Sequence, residues 1–167
     1  EITEILCAVS SFADDQKAIL ATVIDVRGSG YRLPGARMLI HADGQTVGTV
    51  SGGCLEADVL ERAKKVITSG VAEVFTYDTT GNEDSVFSLN MGCRGVIEIK
   101  LEPVGKDSPL IVEMRAAYEH RVRSDNVEVP VAVLLFGAGA DAVPFVRIAG
   151  ELGWQVTIHD HRPAFLT

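Results

Sequence analysis

The fold class follows from residues 131–139, which read Val-Ala-Val-Leu-Leu-Phe-Gly-Ala-Gly. An apolar run of this length that ends in glycines predicts a buried strand followed by a tight turn. A helical pattern over 141–152 and a second strand pattern over 154–158 come next. This order predicts an α/β fold whose C-terminal part, residues 129–167, is a Rossmann-like unit. Two strands and one helix cannot complete a doubly wound sheet, so we expect a fragment or a sheet completed by another subunit.

The glycine turn has the spacing of a dinucleotide-binding loop, Gly137-x-Gly139-x-x-Ala142. Gly137 permits the tight turn, Gly139 lets a pyrophosphate approach the backbone, and Ala142 lets the helix pack closely on the strand. Asp160 follows near the position of the acid that binds a ribose. We therefore predict that Gly137, Gly139 and Asp160 bind NAD(P). A scaffold of the same shape that binds no nucleotide is the alternative.

The N-terminal part, residues 1–103, alternates helical and strand patterns and predicts a mixed α/β domain. The pair Asp43-Gly44 predicts a tight hairpin turn, and Gly70 predicts the end of a helix. We expect residues 104–128 to be a linker. The patterns predict helices over 2–12 and 55–67 and strands over 18–26, 36–41, 46–50, 71–77 and 95–102.

Composition limits the classes of function. The 167 residues include 15 Lys and Arg against 23 Asp and Glu, which gives a net charge of −8, and 47% are hydrophobic. The negative charge argues against a partner made of nucleic acid. No apolar run has the roughly 18 residues that a membrane span needs, and the acidic N-terminus lacks the pattern of a signal peptide. Three cysteines, of which Cys7 is predicted to be a small core residue, favour a reducing, cytoplasmic compartment.

An island of positive charge occupies residues 27–37 of this acidic chain. It holds three arginines and three glycines but no acidic residue. Guanidinium groups beside exposed glycine amides suit phosphate or another oxyanion. The alternative is a loop whose arginines balance acids elsewhere in the fold. The predicted anion-binding residues are Arg27, Gly28, Gly30, Arg32 and Arg37.

Two cysteines lie in glycine turns, where they contribute little to packing. Cys54 begins a predicted helix, whose dipole stabilises a thiolate, and Cys93 precedes a predicted strand. Together with the arginine loop, these turns predict a ligand site. The acids Glu56 and Asp58 are interpreted as ordinary residues of a first helical turn. The predicted residues of the two turns are Ser51, Gly52, Gly53, Cys54, Gly92 and Cys93.

The segments together resemble a known family, the xanthine dehydrogenase accessory proteins of the XdhC/CoxI type. The similar motifs are Gly28-Ser29-Gly30-Tyr31, Ser51-Gly52-Gly53-Cys54-Leu55-Glu56 and Gly92-Cys93-x-Gly95, and residues 136–163 are similar to the family's C-terminal Rossmann domain. The resemblance implies a chaperone that protects the molybdenum cofactor (molybdopterin) as cargo and assists its sulfuration by a cysteine desulfurase. It also implies delivery to a molybdenum hydroxylase of the xanthine dehydrogenase type, and that Cys54 helps to hold the cofactor.

The chemistry of the predicted site agrees with such a cargo. Arginines and glycine amides can hold a phosphate, and the Cys54 thiolate can coordinate a metal. Two other functions stay open, which are an NAD(P)-linked oxidoreductase and a thiol-based sulfurtransferase that uses Cys54 or Cys93. We favour a non-catalytic chaperone, because the sequence offers no acid–base pair. A homodimer is expected, because half of a Rossmann sheet leaves an open edge.

Overall fold

A computed structural model of the chain describes residues 1–80, 95–120 and 131–160. These residues contain four helices and seven strands, which confirms the predicted mixed α/β class. No helix among them is both long and apolar enough to cross a membrane. In chain order the elements are α1 (Ile2–Ser10), β1 (Ala18–Gly28), β2 (Arg37–His41), β3 (Thr46–Gly48), α2 (Glu56–Ser69), β4 (Glu73–Asp78), β5 (Gly95–Val104), α3 (Pro109–His120), β6 (Ala132–Phe136), α4 (Ala142–Glu151) and β7 (Gln155–His159).

The chain divides into two compact units, Glu1–Arg115 and Ala116–Thr167. The stretch predicted to be a linker, residues 104–128, contains helix α3. Because Ile111 and Met114 of this helix are fully buried, this part of the stretch is packed rather than an open connection. The predicted domain bounds at residues 103 and 129 stay predictions.

The first unit is built on an antiparallel sheet of five strands in the order β3-β2-β1-β5-β4. The two long central strands, β1 and β5, pair from Ala18 with Val104 to Gly28 with Gly95. The C-terminal end of β1 and the N-terminal end of β5 therefore lie side by side at one end of these two inner strands. The loop that follows β1 carries the predicted residues Gly30 and Arg32.

The hairpin between β2 and β3 turns where the sequence predicts it. Gly44 has a φ of +88°, a conformation that favours glycine. The Gln45 amide donates to the Asp43 carboxylate at 3.0 Å, and the His41 amide donates to the Gln45 carbonyl at 2.8 Å. The tight turn predicted from Asp43-Gly44 is confirmed.

Helix α2 lies against β1 and β5 and covers one face of the sheet. Its apolar stripe of Val59, Ala63 and Val66 is buried in a core that includes Ile19 of β1. Full burial of a valine-sized side chain contributes about 1.5–3 kcal/mol. The helix ends at Gly70, as predicted, where a φ of +70° lets the amide donate to the Val66 carbonyl at 2.9 Å.

Helix α1 confirms the predicted apolar stripe but not the position of Cys7. Ile5, Leu6 and Val9 are buried, whereas Cys7 is exposed. The prediction of Cys7 as a core residue is wrong, because helical spacing turns position 7 away from the face that carries positions 5, 6 and 9.

The described part of the second unit is a parallel pair of strands joined by a helix. β6 and β7 pair from Ala132 with Gln155 to Phe136 with His159, and α4 lies against β7. The predicted order of strand, glycine turn, helix and strand is confirmed. Assignment of this unit to a Rossmann fold stays a prediction.

Candidate functional site

Two of the three predicted site segments meet in the structure. One is the loop between β1 and β2, and the other is the turn between β3 and α2. A Cβ atom added at Gly52 would lie 3.0 to 3.2 Å from three ring carbons of Tyr31. The tyrosine ring therefore packs on the Gly52 backbone, and the arginine loop is adjacent to the turn that carries Cys54.

The third segment, which carries Gly92 and Cys93, lies outside the described residues. The strand that follows it begins at Gly95, which pairs with Gly28 at the end of β1. A Cβ atom added at Gly95 would lie 2.6 Å from the carbonyl oxygen of Ser29. β5 thus starts beside the same loop, while the position of the Cys93 thiol stays a prediction.

Two of the predicted arginines form ion pairs inside the chain. Arg27 donates to Glu98 at 2.8 Å and to Asp25 at 3.1 Å. Arg32 pairs with the carboxylate of Glu1. These pairs agree with the alternative in which the arginines balance acids of the fold. Anion binding by Arg27 and Arg32, with Gly28 beside them, stays a prediction.

Arg37 is a buried residue of strand β2. It is only 3% exposed, and its Nη1 donates to the Gly35 carbonyl at 3.1 Å. Its amide donates to the Glu1 carboxylate at 2.7 Å. Because so little of the side chain reaches the surface, its contacts hold the end of the loop. Sequence reasoning could not distinguish this arginine from the other two, since burial is not visible in a short loop.

Ser51 organises the turn before α2. This residue is 2% exposed, and its hydroxyl oxygen accepts from the amides of Gly53 at 3.2 Å and Leu55 at 3.1 Å. The Sγ atom of Cys54 lies 3.8 Å from the same oxygen. Gly53 has a φ of +103°, which favours glycine. The amides of Gly53 and Leu55 are therefore already satisfied within the turn by the Ser51 side chain.

Glu56 holds Ser51 in place. Its carboxylate accepts from the Ser51 amide at 2.9 Å, from the Thr49 hydroxyl at 2.6 Å and from the Ser51 hydroxyl. Burial would raise the pKa of Glu56, but the hydrogen bonds from Ser51 and Thr49 outweigh burial and lower the pKa below its ordinary value. The sequence interpretation missed this role, because the spacing from Ser51 to Glu56 is not that of a capping box.

Asp58, the second acid of the first turn, connects α2 to β4. It accepts from the Tyr77 hydroxyl at 2.8 Å and from Arg62. The Arg62 guanidinium lies 4.5 Å from the ring centroid of Phe75. Burial would raise the pKa of Asp58, but the hydrogen bonds from Arg62 and Tyr77 lower it overall. This cluster fixes the helix that presents the turn.

Cys54 presents an exposed thiol on the turn. The amides of Gly52 and Cys54 have no acceptor among the residues that the structure describes. A thiol and two main-chain donors beside a tyrosine can bind a small anionic ligand. Within residues 1–80, 95–120 and 131–160 no group of three or more His, Cys, Asp or Glu side chains could hold a metal ion. Metal coordination by Cys54 stays a prediction.

In the glycine turn of the second unit, acidic side chains of the chain itself lie against the turn backbone. Gly137 has a φ of +107°, and the Ala138 amide donates to the Asp160 carboxylate at 2.8 Å. A Cβ atom added at Gly139 would lie 2.6 Å from Oδ1 of Asp141. The groups that the sequence assigns to NAD(P) thus contact neighbouring groups of the chain. Nucleotide binding by Gly137, Gly139 and Asp160 stays a prediction.

A groove of about 400 Å³ lies between α2 and the β2–β3 hairpin. Its apolar lining includes Ile40, Leu60 and Ile67, and His41 and Lys64 lie among its polar residues. It contains none of the predicted site residues. The chemistry singled out from the sequence is therefore concentrated around Cys54 rather than in this groove.

Comparison with known proteins finds a family that is similar to part of the first unit. The model of the XdhC and CoxI family matches residues 11–78, which include the arginine loop, Cys54 and helix α2. This part of the chain is similar to the XdhC and CoxI family. This confirms the resemblance that the sequence motifs indicate.

Two known proteins are similar to longer parts of the chain. A protein of Bacillus subtilis strain 168, described as a probable subunit of xanthine dehydrogenase, is 26% identical to the chain over 206 residues. That match covers 92% of this chain and 62% of the relative. The chain is also 32% identical over 104 residues to the molybdenum cofactor insertion chaperone PaoD of Escherichia coli strain K12, covering 62% of this chain and 32% of PaoD.

A solved structure shares the fold of the chain. It is described as a xanthine dehydrogenase from Bacillus halodurans and is superposed with a TM-score of 0.74 at 27% sequence identity. The match covers 100% of this chain and 64% of that chain. The chain therefore spans less than two thirds of the length of this protein and of the Bacillus subtilis relative.

Proposed function

We propose that this chain binds the molybdenum cofactor and delivers it to a molybdenum hydroxylase of the xanthine dehydrogenase type. The observation that carries the proposal is the contact between Tyr31 and Gly52. It brings the loop after β1 against the turn of Cys54, inside the region that matches the family. The relative described as a molybdenum cofactor insertion chaperone supports the choice of cargo.

The chemistry of the turn suits a cargo that must be released again. Molybdopterin carries a phosphate and a dithiolene-bound metal. The exposed Cys54 thiol offers a ligand for such a metal, and the amides of Gly52 and Cys54 offer hydrogen bonds to anionic oxygens. Few and exposed contacts favour a carrier over an enzyme, because release then requires little rearrangement.

The decisive experiment compares two cysteine variants. The chain, Cys54→Ser and Cys7→Ser are purified without oxygen from a molybdenum-replete host, and their molybdenum and molybdopterin contents are measured. Cys7 is the matched control, since both thiols are free and exposed but Cys7 lies on α1. We expect at least a tenfold lower cofactor content for Cys54→Ser and no change for Cys7→Ser. Equal content in all three proteins would overturn the role of Cys54.

Delivery is tested separately from binding. The loaded chain is mixed with a molybdenum hydroxylase prepared without its cofactor, and hydroxylase activity is followed over time. We expect activity to rise with the loaded chain and to stay at background with the unloaded chain. If the chain retained the cofactor while activity stayed at background, it would be a storage protein rather than an insertion chaperone.

Three further parts of the proposal concern the sulfuration partner, the oligomeric state and the cellular compartment. We propose that the chain assists sulfuration of the cofactor together with a cysteine desulfurase, that it forms a homodimer and that it acts in the cytoplasm. Co-purification with a desulfurase, sedimentation analysis and cell fractionation test these parts one by one. NAD(P) binding is not part of the proposal, because the Ala138 amide and the Asp160 carboxylate are bonded to each other.

A further inference from the structure

We propose that Tyr31 is a stacking platform for the flat pterin ring of the cargo. The inference rests on the proposed function and assigns one residue to one part of the cofactor. Tyr31 is 68% exposed, although it contacts the Gly52 backbone. Water-exposed aromatic rings that are held on one side provide stacking surfaces for heterocycles.

The contact between Tyr31 and Gly52 is made by the face of the ring. The added Cβ atom at Gly52 would lie 3.0 Å from Cδ2, 3.1 Å from Cγ and 3.2 Å from Cε2. An approach in the plane of the ring would leave two of these carbons much farther away than the third. The nearly equal distances therefore put the Gly52 backbone against one ring face, and the exposed surface includes the opposite face.

Two glycines, Gly52 and Gly30, permit this arrangement. Any side chain at Gly52 would displace the ring, because real Cβ atoms rarely approach other atoms this closely. A Cβ atom added at Gly30 would lie 2.7 Å from a methyl carbon of Val26, so Gly30 lets the loop fold tightly just before the tyrosine. These two glycines hold Tyr31 without covering it.

The platform lies next to the groups proposed to hold the rest of the cargo. Gly52, which supports the ring, is two residues from Cys54 in the same turn. A flat ligand stacked on the exposed face of Tyr31 would lie beside the turn that carries the Cys54 thiol, with the ring between the ligand and the Gly52 backbone. The combination of a stacking face, main-chain donors and a thiol is matched by a pterin that carries a metal and a phosphate. A simple oxyanion would use the donors only.

The test measures binding by Tyr31 variants. Three ligands are used. The first is molybdopterin, released without oxygen from a purified molybdenum enzyme, and the second is molybdate. The third is pterin-6-carboxylate, whose fluorescence is quenched by stacking. The variants are Tyr31→Ala, Tyr31→Phe and Leu33→Ala. Leu33 is the matched control, because it is 75% exposed and lies in the same loop.

We expect Tyr31→Ala to weaken binding of both pterins about tenfold or more and to reduce the quenching, as expected for loss of one stacking contact. We expect Tyr31→Phe to bind the pterins like the wild type, because it keeps the ring. We expect Leu33→Ala also to bind them like the wild type, and molybdate to bind equally to all variants. Circular dichroism checks that each variant is folded.

Two outcomes separate this inference from the proposed function. If the wild type binds molybdopterin and Tyr31→Ala binds it equally well, the stacking role is overturned while the proposed function stands. If the wild type binds no molybdopterin, the proposed function fails and the stacking role fails with it. A loss in Tyr31→Phe as large as that in Tyr31→Ala would also overturn stacking, since the hydroxyl rather than the ring would then be responsible.

Discussion

Replacing Glu56 with glutamine tests whether a charge organises the turn that presents Cys54. Glutamine has almost the same size and keeps one oxygen. The carboxylate accepts from the Ser51 amide and the Thr49 hydroxyl with one oxygen, and from the Ser51 hydroxyl with the other. The amide nitrogen of glutamine would face one of these donors and repel it. Thus the substitution removes at least one hydrogen bond and the negative charge but creates little empty space.

The expected loss follows from the value of a charge-assisted hydrogen bond. A bond to a charged group contributes roughly 1.5–3 kcal/mol, whereas a neutral bond contributes about 1 kcal/mol. The Ser51 hydroxyl oxygen cannot readily accept a hydrogen bond from the new glutamine amide, because it already accepts from the amides of Gly53 and Leu55. We expect Glu56→Gln to lower the free energy of unfolding of the first unit by about 2 kcal/mol at neutral pH.

The same loss should depend on pH. The folded-state pKa of Glu56 lies below its ordinary value of 4.5, so the folded state favours the charged form. The carboxylate therefore contributes stability above about pH 4.5 that is lost as the pH falls through the folded-state pKa. Protonated Glu56 resembles glutamine, so the difference between wild type and variant should shrink in acid.

Urea unfolding followed by circular dichroism, at about pH 7 and again below about pH 4, measures this difference. Glu61→Gln on the same helix is the control, since Glu61 pairs with Lys64 at the surface, where both side chains are about two thirds exposed. We expect that control to change stability by less than about 0.5 kcal/mol. A Glu56→Gln loss as small as the control's, or one that is the same at both pH values, would refute the reasoning.

Two further substitutions test the framework of the first unit. Gly95→Ala would put a Cβ atom 2.7 Å from the carbonyl oxygen of Arg27, so we expect urea unfolding to show a loss of about 1–3 kcal/mol in the free energy of unfolding. Gly150→Ala, which lies in α4 of the second unit and has nothing within 4 Å of the added atom, is the control for adding a methyl group and should be neutral or stabilising. Equal results for the two would contradict the strand geometry. Tyr77→Phe removes the hydrogen bond to the Asp58 carboxylate. We expect thermal unfolding to show a loss of roughly 1.5–3 kcal/mol, the value of a bond to a charged group, and an unchanged midpoint would show that this bond contributes nothing.

Much of the fold could be predicted because its determinants are local. The apolar spacing of α2 and the glycine at position 70 fix where this helix lies and ends. The Asp43-Gly44 pair identifies the hairpin, and the run into Gly137 identifies the turn after β6. The exposure of Cys7 shows that even a local pattern must be read with the correct helical angle.

The candidate site was predictable in part. Ser51, Gly53 and Cys54 lie in one turn, as the sequence indicates, and that turn is inside the matched family region. Tyr31 was part of a similar motif but was not assigned a role, and Glu56 was interpreted as an ordinary acid. The positive charge of the arginine loop led to the prediction of an anion site. The ion pair of Arg27 with Glu98 could not be predicted in the same way, because Glu98 is 71 positions away in the chain.

The order of residues along the chain by itself determined three of the four described helices, the described strands and the turn that carries the exposed thiol, because each depends on neighbours within a few positions. Helix α3, which lies in the predicted linker, was missed. The tertiary structure alone decided that the Tyr31 ring packs on Gly52, that Arg27 and Arg32 are balanced by acids and that Arg37 is buried. Such contacts join segments far apart in the chain. They are set by how the strands pair and how the helix packs, and no local spacing encodes them.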